Sequence, residues 1–177
     1  MKRIEFRSSP TLKGNTIGGL AVVFDQVTDL GYGKEAIAAG SLDAALSRDD
    51  ADVRALYNHD PLYVLGRQSA GTLRLTPTTA GLEYEIDLPD TGYGRDLAEL
   101  VRRGDITGAS FAFLPGQVET RGGVTVHTSI SRLVDVSPVT YPAYPGATTE
   151  TRSARPAMDR RTQLARARLR VLMKGIR

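Results

Sequence analysis

Regular alternation of apolar and polar residues is the feature that most constrains the fold of this chain. Within residues 81–88 every second residue from Leu82 to Leu88 is apolar, and residues 72–76 alternate in the same way. Successive side chains of a strand point to opposite faces of a sheet, so this period of two predicts two half-buried strands. The turn-forming residues between them predict that the two strands form a hairpin.

Further segments either follow the same pattern or are short apolar runs bounded by turn residues. A second hairpin is predicted around the turn at residues 121–123. Many strands joined by short turns favour a mainly β (α+β) fold, built as a barrel or a sandwich. The additional predicted strands cover residues 3–7, 16–24, 53–57, 118–120, 124–130 and 133–137, the last closed by Pro138.

Two helices are predicted within the first 150 residues. Ser41 can cap a short helix over residues 42–46. A longer helix can begin at Asp90 or Thr91 and run through Arg103, with Gly104 as its stop. The helices are therefore expected to decorate the β fold.

Charge divides the chain near residue 150. Residues 151–177 carry nine Lys/Arg and one acidic residue, a net charge of +8, whereas residues 1–150 carry 14 Lys/Arg and 19 Asp/Glu, a net charge of −5. Residues 145–153 have no periodicity and are interpreted as a linker. We therefore predict one domain over residues 1–150 and a basic tail over residues 151–177, which is either a helix in need of a partner or a disordered end.

The composition excludes several classes of site. The chain has no cysteine and two histidines, so thiol nucleophiles and cysteine zinc sites are excluded, and a lone histidine cannot supply a three-ligand catalytic metal. There is no apolar run near the roughly 20 residues of a membrane helix and no signal-peptide core. Basic residues are not interleaved with aromatic ones, so a nucleic-acid-binding barrel is disfavoured.

Among the ten serines, Ser110 and Ser137 remain as nucleophile candidates once those in polar, terminal, capping, turn or strand-end contexts are set aside. Ser110 follows Gly108 and Ala109, whose small size lets a substrate backbone approach closely. The segment lacks the second glycine of a nucleophile elbow, which disfavours an α/β-hydrolase. The alternative is a strand serine that hydrogen-bonds a neighbouring backbone.

A hydroxyl nucleophile needs a base, and the base needs an orienting partner. His59 follows the strand predicted over residues 53–57, where it is either an exposed turn residue or a catalytic group on a rigid support. Asp60 is adjacent, but before a proline it fits better as a turn former. The other histidine, His127, is predicted to be an exposed strand residue.

Asp135 stands in an otherwise apolar strand. The alternation places Asp135 and Ser137 on one face of that strand and the neighbouring valines on the other. The carboxylate of Asp135 therefore either faces solvent on a one-sided sheet or points into a site.

An ordered series of segments resembles the prohead (procapsid) maturation proteases of tailed bacteriophages, which are similar in fold to the herpesvirus assemblins. The resemblance covers about residues 3–150, and the order and spacing of its segments carry it. These segments are residues 18–24, 35–42, 55–60 (ALYNHD), 65–67, 71–75, 103–113 (containing GASFAF) and 134–144 (VDVSPVTYPAY).

The resemblance implies a serine peptidase on a closed or nearly closed β-barrel with a few surrounding helices. By motif, His59 of the Asn-His-Asp segment would be the base and Ser110 of the Gly-x-Ser-Phe segment the nucleophile. The third member is a histidine in the herpesvirus enzymes and more often Glu in the phage enzymes, and Asp135 stands at its place. No metal or cofactor is implied, and no oxyanion-hole donor can be matched.

The implied function is the cleavage of scaffold protein, or of the scaffolding segment of the major capsid protein, inside an assembling procapsid in the host cytoplasm. Self-cleavage is also implied, with the basic tail directing the enzyme into the procapsid before its removal. Analogy with the herpesvirus enzymes leaves a homodimer open, while neither a membrane nor nucleic acid is an expected partner. The alternative function is that of a non-catalytic capsid-assembly or scaffold-binding protein on the same fold.

Overall fold

The structure, a computed structural model, describes residues 11–13 and 15–142. The strand predicted over residues 3–7 and the basic tail over 151–177 lie outside the described residues. Twelve strands and two helices occur within the described ranges. They are β1 (Thr11–Lys13), β2 (Thr16–Val23), β3 (Thr28–Asp29), β4 (Lys34–Ile37), α1 (Asp43–Leu46), β5 (Arg54–Tyr57), β6 (Asp60–Arg67), β7 (Leu73–Pro77), β8 (Gly81–Asp87), α2 (Gly92–Arg103), β9 (Gly108–Pro115), β10 (Val118–Arg121), β11 (Val124–His127) and β12 (Ile130–Val139).

The strands form three four-stranded sheets, in the orders β1-β2-β8-β7, β10-β11-β4-β3 and β6-β5-β12-β9. Both predicted hairpins are confirmed, since β7 pairs antiparallel with β8 and β10 with β11. In the third sheet β12 lies between β5, to which it is parallel, and β9, to which it is antiparallel. This sheet brings together segments that are far apart in the chain.

The prediction of a mainly β fold with few helices is confirmed, but a closed barrel is not found among residues 11–13 and 15–142. Closure requires the edge strands of neighbouring sheets to pair with each other. Edge strand β6 approaches the residue before β7 at Gly66, where an added Cβ would lie 2.8 Å from the carbonyl oxygen of Thr72. The N–H of the next residue, Arg67, donates to the Thr72 hydroxyl and not to a backbone carbonyl, and β6 and β7 belong to different sheets.

Alternating side chains from the strands meet helix α2 in one apolar core. Leu82, Tyr84 and Ile86 of β8 and Leu97 of α2 are almost completely buried. Complete burial of an aliphatic side chain of this size contributes about 1.5–3 kcal/mol relative to its exposure. The period of two seen in the sequence therefore marks the face of β8 that holds the sheet against the helix.

Helix α2 has the boundaries that its capping residues predict. The Oγ1 of Thr91 accepts a hydrogen bond from the N–H of Gly94 at 3.2 Å, which satisfies one of the free donors of the first turn. The helix ends at Gly104, whose φ of 80° is the left-handed conformation typical of a glycine stop. No helix in the described part of the chain is long and apolar enough to cross a bilayer.

The prediction that Ser41 caps the first helix is wrong. The cap position of α1 is Leu42, and among the described residues no side chain caps it. The backbone of Ser41 is used elsewhere, since its N–H donates to the carbonyl of Ala38 and its carbonyl accepts from Ile130 at the start of β12. The Ser41 hydroxyl is buried without a hydrogen-bond partner in the described structure.

Candidate active site

A tight turn presents His59 at the end of β5. Tyr57 and Asp60 pair across the hairpin, and the two residues between them, Asn58 and His59, have φ values of 54° and 58°. Positive φ at both central residues is required by a type I′ turn, and asparagine and histidine are among the non-glycine residues that adopt it most often. The N–H of Asn58 donates to the carbonyl of Pro138 at 3.1 Å, which fastens the turn to the end of β12.

The His59 ring contacts a buried carboxylate of that same strand. Nδ1 of His59 lies 2.6 Å from Oδ1 of Asp135, and Asp135 is 2 % exposed. A carboxylate can only accept hydrogen bonds, so the Nδ1–H of His59 donates to it, and Nε2 is left as the acceptor of a neutral ring. Of the two orientations that the sequence leaves open for Asp135, the structure has the one away from solvent.

Ser137 contributes a second donor to Asp135. Its hydroxyl donates to Oδ1, the oxygen that His59 binds, also at 2.6 Å. The Ser137 side chain is completely buried. Because its proton is directed at the carboxylate, the Ser137 hydroxyl is not free to act as a nucleophile.

Ser110 lies directly opposite Ser137 in the ladder between β9 and β12. Residues opposite each other in an antiparallel pair share a face, with Cβ atoms about 4.5–5.5 Å apart. Ser110, Ser137 and Asp135 therefore line one face of these strands, and His59 joins them through Asp135. An added Cβ on Gly108 would lie 2.6 Å from the ring of Pro142, so the end of the described chain packs against the residue two positions before Ser110.

Comparison with known proteins supplies an independent assignment. The sequence model of the caudovirus prohead serine proteases matches residues 2–161. The chain belongs to this family. It is a serine protease of bacteriophage capsid maturation, which acts inside the procapsid in the host cell and associates with capsid or scaffold proteins. Searches of the curated proteins and of the solved structures gave no match, and the likeness to the herpesvirus enzymes stays a prediction.

The other carboxylate considered as a partner for His59 is used differently in the protease. Oδ1 of Asp60 accepts a hydrogen bond from the N–H of Leu62 at 3.0 Å. A side chain that caps the backbone two residues ahead is a turn-forming contact. The prediction that Asp60 is a turn former is therefore confirmed.

The prediction that His127 is an exposed strand residue is wrong. His127 is 7 % exposed, its Nε2 lies 3.3 Å from Oε2 of Glu35, and its ring meets Phe113 edge to face at 4.9 Å between centroids. Alternation fails here because both faces of β11 are covered at its end, where the consecutive residues Val126 and His127 are both buried. The two histidines of the protease thus have separate carboxylate partners.

Three apolar side chains that sequence reasoning did not single out follow the His59 turn in edge strand β6. Leu62, Tyr63 and Val64 are all exposed, and β6 bulges between the pairs Tyr57–Asp60 and Leu56–Val64. Bulges are frequent next to active sites, where they redirect side chains. The run of three apolar residues after a turn was the available signal for this surface.

Aromatic rings support the bulge. The ring of Tyr63 packs edge to face against Tyr57 at 6.4 Å and against Tyr93 at 5.5 Å, and the Tyr93 hydroxyl donates to the carbonyl of Val64. Burial raises the pKa of the Tyr57 phenol, which keeps that group protonated at neutral pH.

Proposed function

We propose that Ser110 is the nucleophile of this protease, that His59 is its general base and that Asp135 orients the His59 ring. The observation that carries the proposal is the 2.6 Å contact between Nδ1 of His59 and the buried Oδ1 of Asp135. A carboxylate at Nδ1 fixes the tautomer whose Nε2 can accept a proton from a serine. The pairing of Ser110 with Ser137, two residues from Asp135, supports the choice of serine.

The proposed reaction has two steps. The Ser110 hydroxyl oxygen attacks the carbonyl carbon of the substrate while His59 takes its proton; the C–N bond then breaks as His59 gives that proton to the leaving amine. Water attacks the resulting ester, His59 takes a proton from the water, and the proton returns to the Ser110 oxygen as the C–O bond breaks. Asp135 stabilises the imidazolium formed in each step.

The proposed substrates are the scaffold protein or the scaffolding segment of the major capsid protein. We also propose self-cleavage that separates a domain over residues 1–150 from the basic tail over 151–177, which first directs the enzyme into the procapsid. The packing of Pro142 against Gly108 supports this part of the proposal, because it holds this part of the chain two residues away from the proposed nucleophile. Sedimentation of the purified protease would test the homodimer suggested by the herpesvirus likeness.

The deciding experiment is co-expression of the protease with its capsid and scaffold proteins. Ser110→Ala should reduce cleavage by roughly 10⁴–10⁶, while Ser41→Ala, which removes another buried hydroxyl, should leave cleavage unchanged. A serine-directed phosphonate should add to the Ser110 peptide in the wild type, as read by mass spectrometry. Undiminished cleavage by Ser110→Ala would refute the assignment, and absence of both cleavage and labelling in the wild type would favour the non-catalytic assembly role.

A further inference from the structure

We propose that Ser137 is a positioning residue, whose hydroxyl holds the Asp135 carboxylate in the orientation that the His59 ring binds. The effect of Ser137 on catalysis rests on the proposed function, whereas its effect on the orientation of Asp135 does not. The relevant contacts are the two hydrogen bonds that converge on Oδ1 of Asp135, one from Ser137 and one from His59.

Two donors are needed because an aspartate carboxylate turns easily. The last torsion of aspartate is broad and nearly two-fold, so a single hydrogen bond leaves the plane of the carboxylate poorly defined. Ser137 lies two residues along the same rigid strand, and complete burial prevents its hydroxyl from turning to solvent. Its donor is thus placed by the strand itself, whereas His59 stands on a turn.

The buried charge of Asp135 gives the same contact an electrostatic role. A carboxylate removed from water requires hydrogen-bond donors or a cation. The cationic residue next to it in the ladder is Arg54 on β5, but the Arg54 guanidinium binds Asp52 at 2.9 Å. Ser137 and His59 therefore share the stabilisation of the Asp135 charge.

Ser41 provides a matched comparison within the chain. Ser41 is 2 % exposed and is therefore buried, as Ser137 is. In the described structure the Ser41 hydroxyl has no hydrogen-bond partner. The fold thus accommodates a buried serine hydroxyl without a partner. Ser41→Ala, like Ser137→Ala, removes one buried serine hydroxyl, but it leaves the contacts of Asp135 intact. It therefore controls for the loss of a buried hydroxyl alone.

The test is an NMR spectrum of the two histidine rings in the labelled full-length chain, with His127→Gln used to assign the signals. In Ser137→Ala the Asp135 carboxylate is no longer held in its orientation, so its hydrogen bond to the His59 ring weakens. We expect the Nδ1–H resonance of His59 to move upfield in Ser137→Ala and to stay unchanged in Ser41→Ala. The kcat for peptide cleavage should fall roughly 10- to 100-fold with little change in KM, the size expected for one hydrogen bond to a charged group.

An unchanged Nδ1–H resonance of His59 in Ser137→Ala would overturn the inference. If Ser137→Ala does not fold, Ser137→Cys, which keeps a weaker donor at the same position, should move the resonance in the same direction, and its failure to do so would also overturn the inference. The NMR readout needs no substrate. It therefore tests Ser137 even if Ser110→Ala retains activity, while an unchanged resonance leaves the Ser110 assignment intact.

Discussion

The side chain of Asn58 binds Thr140 through two hydrogen bonds: Oδ1 accepts from the backbone N–H of Thr140 at 2.8 Å, and Nδ2 donates to its Oγ1 at 3.2 Å. The N–H of Asn58 also donates to the carbonyl of Pro138. These contacts tie the turn that carries His59 to the end of β12, the strand that carries Asp135. The distance between the side chains of His59 and Asp135 is therefore set by the contacts of Asn58 as well as by the hydrogen bond between His59 and Asp135.

Removal of this connection should impair cleavage more than it impairs folding. Asn58→Gly keeps the left-handed backbone but loses both side-chain bonds, so we expect kcat to fall with little change in KM. Asn58→Ala should in addition be less stable than Asn58→Gly by about 1–2 kcal/mol, because alanine is disfavoured at positive φ. Cleavage kinetics and urea unfolding measure the two effects, and Thr140→Val, which retains the backbone donor, should show a smaller loss of kcat. A wild-type kcat for Asn58→Gly would contradict the connection.

His59 and Ser110 should behave as one unit in cleavage. We expect His59→Ala to lose nearly as much activity as Ser110→Ala, and the double variant to lose little more than either, because each group is ineffective without the other. His127→Gln is the matched control for the loss of a histidine, since His127 binds Glu35 instead of Asp135. Losses that multiply in the double variant would show that the two residues act independently.

Gly108 should not tolerate a side chain. An added Cβ would lie 2.6 and 2.9 Å from two ring carbons of Pro142, so Gly108→Ala must displace either this ring or the start of β9. We expect a loss of about 1–3 kcal/mol in the free energy of unfolding, as for other overpacked sites. Gly92→Ala is the control, because nothing lies within 4 Å of its added Cβ. Urea unfolding should show that Pro142→Ala recovers part of the loss; equal stability of Gly108→Ala and Gly92→Ala would contradict the contact.

Asp87 should contribute to the acid sensitivity of the fold. Hydrogen bonds from Arg74, and then from Thr16, lower the pKa of the Asp87 carboxyl to about 2. Because the pKa is lower in the folded than in the unfolded chain, where it is about 3.9, this contribution is present above pH ~4 and is lost as pH falls toward 2. Asp87→Asn should therefore flatten the decrease of Tm over this range, and Asp49→Asn should not. A wild-type slope in Asp87→Asn would refute the prediction.

Local features of the sequence predicted the local structure well. The β7–β8 hairpin and both ends of α2 follow from periodicity, from Thr91 and from Gly104, and these signals act between residues that are close in the chain. The predictions of a closed barrel, of a cap at Ser41 and of an exposed His127 were wrong because they depend on residues that are distant in the chain. Each depends on which distant strand lies alongside, and the sequence pattern of one segment does not contain that information.

The site divides in the same way. From the sequence alone, motif resemblance selected His59, Ser110 and Asp135 as candidates, and the proline after Asp60 predicted that Asp60 forms a turn. Only the tertiary structure decided that Asp135 contacts His59 across 76 positions of the chain and that Ser137 shares its oxygen. The turn at Asn58 and His59 sets the direction of the His59 side chain, and the register of β5, β12 and β9 sets its neighbours. Only the register depends on pairing between segments that are far apart in the chain, and for that reason it could not be read from the sequence pattern of one segment.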